Sequence, residues 1–111
     1  MQESERAEKA LGLVGLAARA GRTVVGVSLI CTALQQSKAQ RPQLLLMASD
    51  ASGNTQKRLN DKSVYYGVRL IILPVDCERL ALAVGKRDSS VAAVGVTEPH
   101  LALAIEELYN I

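Results

Sequence analysis

At 111 residues the chain is long enough for one domain with a real core, and 49% of its residues are apolar although Trp and Phe are absent. A core of Leu, Val, Ile and Ala suits helices packed closely on a sheet better than a cavity lined by aromatics. No run reaches the roughly eighteen apolar residues of a membrane span, and the start "MQESERAEKA" lacks the apolar stretch of a signal peptide, so a cytoplasmic protein is expected. The net charge of +2 is unevenly spread. Residues 10–75 hold eight Lys/Arg against Asp50 and Asp61, a net +6, whereas residues 76–111 hold three basic against six acidic, a net −3. A basic body fits an anionic partner, but a sum along the chain does not define a face.

Taken in chain order, "SERAEKALGLVGLAARAG" reads as a helix with Ser4 as its cap and Gly21 just past its end. Leu11, Val14 and Ala18 recur at helical spacing, and Leu13, Leu16 and Ala17 widen the stripe. "RTVVG" is a short extended piece, and a second helix runs from about Val27 to Gln36. Pro42 breaks the chain before "LLLMAS", whose continuous apolar run predicts a strand buried on both faces. The segment "SDASGNTQKRLNDKSVYYG" is a helix capped at Ser52 and ended at Gly67. "VRLIILPV" predicts a second buried strand, and "DCERLALAVG" a short helix between Asp76 and Gly85. After the loop "KRDSS", "VAAVGV" is a further strand, and "TEPHLALAIEELYNI" a last helix capped by Thr97 with Pro99 in its first turn. Helices alternating with short apolar strands give an α/β class, with helices on both faces of one small sheet.

Chemistry is harder to find. His100 is the lone histidine and sits at the start of the last helix, where a surface residue is expected rather than a catalytic one. Asp50 follows a strand directly, which is where open α/β sheets bind ligands. It reads more readily as a helix cap, and no partner residue stands ready to make an enzyme of it. Cys31 and Cys77 are far apart and match no metal or redox spacing, so both are expected to be reduced structural thiols. No phosphate-cradling glycine loop follows a strand. No catalytic residue, cofactor, metal or small-molecule substrate is expected. Lys57, Arg58 and Lys62 lie on the third helix, where a solvated face is the default reading.

The stretch "TVVGVSLICTALQQS" holds no charge at all. On a helical wheel Ser28, Thr32, Gln35 and Gln36 fall together, opposite Val27, Ile30, Ala33 and Leu34. The outer face is thus short and neutral-polar. Such a face suits a plain solvent boundary, or a surface that another molecule approaches closely.

The arrangement "GLAARAGR…VVG", a helix, "LLLMASDAS…NTQKRL", "YYGV", then "GK…VAAVGVT" resembles the ribosomal protein L-seven-Ae family of kink-turn RNA-binding proteins, in particular its small bacterial YlxQ-like members. The resemblance runs from Leu11 to about Leu108 and implies a three-layer α/β/α sandwich around a small mixed sheet, with residues 1–111 forming a single domain. It also implies a non-enzymatic protein of ribonucleoprotein or translation assemblies. Its partner would be structured RNA, kink-turn-like or ribosomal. The family docks the head of its second helix in the groove of kinked RNA. Gly26 matches the leading glycine, but Ser28, Leu29 and Thr32 stand where the family has Asn, Glu and Lys. The second family contact is the loop "GKRDSS", residues 85–90, where Lys86, Arg87 and Ser89 or Ser90 suit phosphate, and Arg22 is expected near the same end. The resemblance therefore assigns RNA binding to Arg22, Gly26, Ser28, Thr32, Lys86, Arg87 and Ser89. Apart from Tyr65, Tyr66 and Tyr109 the chain has no aromatic ring to stack bases, so single-strand binding of the stacking kind is not expected. The alternative is a protein-interaction or homodimerisation module that uses the neutral face of the second helix.

Overall fold

The computed structural model describes residues 1–110. Its elements are α1 (Glu3–Arg19), β1 (Thr23–Val25), α2 (Val27–Leu34), β2 (Leu44–Ala48), α3 (Gly53–Tyr66), β3 (Leu70–Leu73), α4 (Cys77–Ala83), β4 (Ala93–Val96) and α5 (Pro99–Leu108). The strands form one mixed sheet in the order β1-β4-β2-β3. β2 and β3 are parallel, whereas β4 runs antiparallel to both β1 and β2.

Period-two geometry divides the core in two. Leu44, Leu46 and Ala48 of β2 face one way, toward Ala10, Leu11 and Val14 of α1, Leu80 of α4 and Ile105 of α5. Leu45 and Met47 face the other way, toward Ile30 and Leu34 of α2 and Leu59 of α3. Every residue of β2 is buried, which is why its sequence shows no polar alternation. The result is the expected three-layer α/β/α sandwich. Gly95 in β4 serves this packing, because a Cβ there would lie 3.0 Å from the Cβ of Pro42.

β3 departs from the expectation of a fully buried strand. It lies at the sheet edge, and Ile72 is 52% exposed. Two caps also differ. α1 begins behind Gln2, ahead of the position from which Ser4 could cap it, and no side chain caps it at all. α5 is capped by Glu98, whose carboxylate accepts the Leu101 N–H at 2.6 Å. Thr97 instead donates its N–H to the Arg22 carbonyl at 2.9 Å, extending the sheet by one bond. The expected caps at Ser52 and Asp76 are present, accepting from the N–H groups of Thr55 and Arg79.

Strand directions decide what meets what. β1 and β2 end, and β4 begins, at one end of the sheet. The heads of α2, α3 and α4 all follow strands that end there, so the site is built at that end.

Candidate nucleic-acid interface

Gly26 turns the chain from β1 into α2 with φ 97° and ψ 149°, a conformation open to glycine and strained for any other residue. Its N–H donates to the Ala93 carbonyl at 3.0 Å, and its carbonyl accepts the Ile30 N–H that closes the first turn. The head of α2 is thereby fixed to the start of β4. No side chain caps it, and its first turn holds no acidic residue. A helix head in this state offers N–H groups and the positive end of the dipole to an anion or to water.

The outward face of α2 is Ser28, Leu29 and Thr32, with Ile30, Cys31 and Leu34 buried beneath. Leu29 points out and is 61% exposed, so it does not join the core. Thr32 Oγ1 donates to the Ser28 carbonyl at 3.2 Å, which leaves its lone pairs to accept from a ligand.

The loop after α4 reaches this head by a return path. Gly85, at φ 79°, ends α4, with its N–H on the Leu82 carbonyl at 3.0 Å and the Lys86 N–H on the Ala81 carbonyl at 2.9 Å. The chain then runs back along α4, and the Val91 N–H reaches the Cys77 carbonyl at 3.0 Å. Two residues later it enters β4 at Ala93, beside Gly26. The side chains of Lys86 and Arg87 are exposed and have no ion pair or hydrogen bond among the described residues. Ser89 Oγ donates to the Arg87 carbonyl at a long 3.4 Å. Arg87, Ser89 and Ser90 line an open recess with Leu82 and the acidic Glu78 and Asp88, so the positive charge of the loop is partly offset on the α4 side.

The structure thus brings together Gly26, Ser28, Thr32 and the end of the loop that carries Lys86, Arg87 and Ser89. Arg22 is placed elsewhere. Thr23 pairs with Val96 and Val25 with Val94, so the length of β1 separates Arg22 from Gly26. The Arg22 N–H donates to Ala17 and its carbonyl accepts from Thr97, which ties its backbone to the opposite end of the sheet.

Several of the chain's cations are engaged in the fold. Arg79 pairs with Glu8 at 3.0 Å. Arg69 donates to Asn110 and to the Tyr109 carbonyl. Arg6 lies 5.5 Å from the centre of the Tyr109 ring.

The sequence candidates for catalysis serve the fold too. Asp50 is a cap as expected, but of α4 and not of the helix that follows it: Oδ1 accepts the Cys77 N–H at 2.9 Å. Burial first, and then the hydrogen bond and charge of Asp50 with the charge of Asp76, push the Cys77 thiol up to about 11. It stays protonated at neutral pH and is a poor nucleophile. The His100 side chain is 94% exposed, with Nδ1 at 3.1 Å from Glu98.

No protein-family model matches the chain. Over 68 residues it is 43% identical to the RNA-binding protein YlxQ of Enterococcus faecium, a match that covers 61% of this chain and 62% of that protein. Over 56 residues it is 41% identical to the RNA-binding protein YlxQ of Bacillus subtilis (strain 168), covering 50% and 53%. The chain thus spans about three fifths and about half of the length of these curated relatives. Among solved structures, a protein of unknown function from Bacillus halodurans C superposes with a TM-score of 0.79 at 29% identity, covering 90% of this chain and 95% of the other. The Giardia lamblia 15.5kD RNA binding protein superposes with a TM-score of 0.73 at 19% identity, covering 94% and 84%, a likeness of fold. The chain shares the fold of both solved structures. In sequence it is similar to the two proteins named RNA-binding protein YlxQ.

Proposed function

We propose that the chain binds structured RNA, without catalysis, through the head of α2 and the loop 85–90, and that its preferred target carries a kink-turn-like bend, as in ribosomal or other ribonucleoprotein RNA. The observation that carries this reading is the Gly26 N–H bond to Ala93, which sets an uncapped helix head beside the end of the loop that begins with Lys86 and Arg87. The names of the YlxQ relatives support RNA as the ligand. Phosphate contacts at the loop position the RNA, and Ser28, Thr32 and the free N–H groups of α2 meet the groove. With Leu29 in place of a carboxylate, less sequence discrimination is available, and salt-sensitive phosphate contacts carry more of the affinity.

Lys86→Ala with Arg87→Ala tests this reading. Affinity should fall on every RNA, and the slope of log K against log salt should flatten by about one unit for each phosphate that the loop no longer neutralises. Unchanged affinity and slope would remove the loop from the interface. A second reading rests on Leu29: an apolar side chain 61% exposed between Ser28 and Thr32 suits a protein seam, such as a homodimer. A concentration-dependent molar mass that Leu29→Lys reduces to the monomer value would favour it.

A further inference from the structure

The far end of the α2–α3 layer carries a feature that the head of α2 does not use. Arg41, in the segment between α2 and β2, donates through Nε to the Gln36 carbonyl at 3.1 Å. Its guanidinium lies 4.9 Å from the centre of the Tyr66 ring. Tyr66 in turn meets Tyr65 edge to face, with ring centres 4.8 Å apart and planes at 88°. Tyr65 is 78% exposed. Two open recesses adjoin at Tyr66: one is lined by Lys38, Arg41 and Gly67, the other by Arg58, Asp61, Lys62 and Tyr65. Four cations therefore surround the tyrosine pair against the single carboxylate of Asp61, and the side chains of Lys38, Arg58 and Lys62 have no ion pair or hydrogen bond among the described residues.

This placement has a physical logic. The guanidinium of Arg41 is held by the Gln36 carbonyl and stacks on Tyr66, and Tyr66 meets the exposed ring of Tyr65. A ring held so offers a face to a flat apolar partner at little further cost in side-chain entropy. Cations on both sides suit a chain of phosphates that passes the ring. A protein partner would need wider apolar surface or acidic residues to match, whereas a nucleotide supplies the flat base and the phosphate together. The patch follows the last turn of α2, so it lies roughly 12 Å or more beyond the helix head at 1.5 Å per residue over eight residues.

We propose that Tyr65, flanked by Lys38, Arg58 and Lys62, forms a second RNA contact that takes an unpaired nucleotide by stacking. The proposal rests on the reading that the chain binds RNA, but it concerns a separate surface. The chain has no tryptophan, so its intrinsic emission comes from this pair and Tyr109. The probe is an eight-nucleotide oligouridylate titrated at low salt, alongside a structured RNA. Saturable binding with quenched tyrosine emission is expected for the unaltered chain. Tyr65→Ala should weaken it by about five- to 150-fold, the range of one base–aromatic stack. Tyr65→Phe, which keeps the ring, should restore most of the affinity. Circular dichroism confirms that each variant folds.

Equal oligouridylate affinity in the Tyr65→Ala variant overturns the proposal. No oligouridylate binding at all, with structured RNA still bound, also overturns it and assigns the patch to a protein partner, leaving the reading of the α2 head intact. Tyr65-dependent oligouridylate binding without structured-RNA binding would instead uphold the patch and sink the α2 head.

Discussion

The heads of α2 and α4 lie at the same end of the sheet and are finished in opposite ways. α4 starts with two carboxylates on its N–H groups, Asp76 on Arg79 and Asp50 on Cys77. Its dipole and donors are satisfied by the fold itself. α2 starts with a glycine, carries no acid in its first turn and has no capping side chain. Its donors depend on water or on a ligand. One head is satisfied by the fold, and the other is left with open donors, at some loss of helix stability. The difference explains the absence of charge on α2: an acid at its head would supply the cap and repel a phosphate.

Variants at the two heads should break this contrast in order of size. The largest effect is expected from Gly26→Ala. No atom stands within 4 Å of a Cβ built there, so the penalty is purely conformational, about 1–3 kcal/mol at φ 97°. Thermal unfolding should show a lower midpoint, and relaxation of the turn should carry RNA affinity down with it. Next comes Leu29→Glu with Thr32→Lys, which restores two polar readers on the exposed face. Preference for kinked over straight RNA should rise by about 1–3 kcal/mol, by analogy with base contacts in DNA; an unchanged ratio would mean that this face does not dock in the groove. Asp76→Ala should cost about 1 kcal/mol in unfolding while leaving RNA affinity alone. If affinity falls too, the head of α4 belongs to the site and the contrast fails.

The smallest effect concerns acid. The Leu101 N–H bond chiefly, with help from His100, holds the Glu98 carboxyl below its usual range. The folded value lies below the unfolded one, so its stabilisation is complete above the ordinary glutamate range and is lost as pH falls through the depressed value. Glu98→Gln should therefore show a shallower loss of thermal stability on acidification below about pH 4 than the unaltered chain.

Much of the architecture was legible because the signals for it are local. The uninterrupted apolar run of β2 means burial on both faces, and the capping residues Ser52 and Asp76 announce their helices. The edge position of β3 was not legible, since "LIIL" reads like a central strand and only the sheet order exposes Ile72. Caps misplaced by a residue or two, as at Gln2 and Glu98, arise where neighbouring polar residues compete for one role. At the site, Gly26 was legible from its resemblance, and the neutral face of α2 from its periodicity. The outward turn of Leu29 was undecided until the core was seen to be filled by Ile30 and Leu34. Arg22 is close to Gly26 in sequence, but an extended strand lies between them. The charge sum carried no placement for a related reason: Arg41, Arg69 and Arg79 are held by partners 5, 41 and 71 positions away. The pairing of Tyr65 with Tyr66 was visible as adjacency, but the stacking of Arg41 on Tyr66 was not.

The central claim is that the open head of α2, together with the loop of Lys86 and Arg87, reads a bend in RNA. The most direct measurement is the affinity of the purified chain for a kink-turn RNA and for a straight duplex of equal length, each at two salt concentrations. The account predicts tighter binding to the kink at both salts, with both affinities falling as salt rises. Equal affinities that vanish together at the higher salt, or no binding to either RNA at the lower, would contradict it.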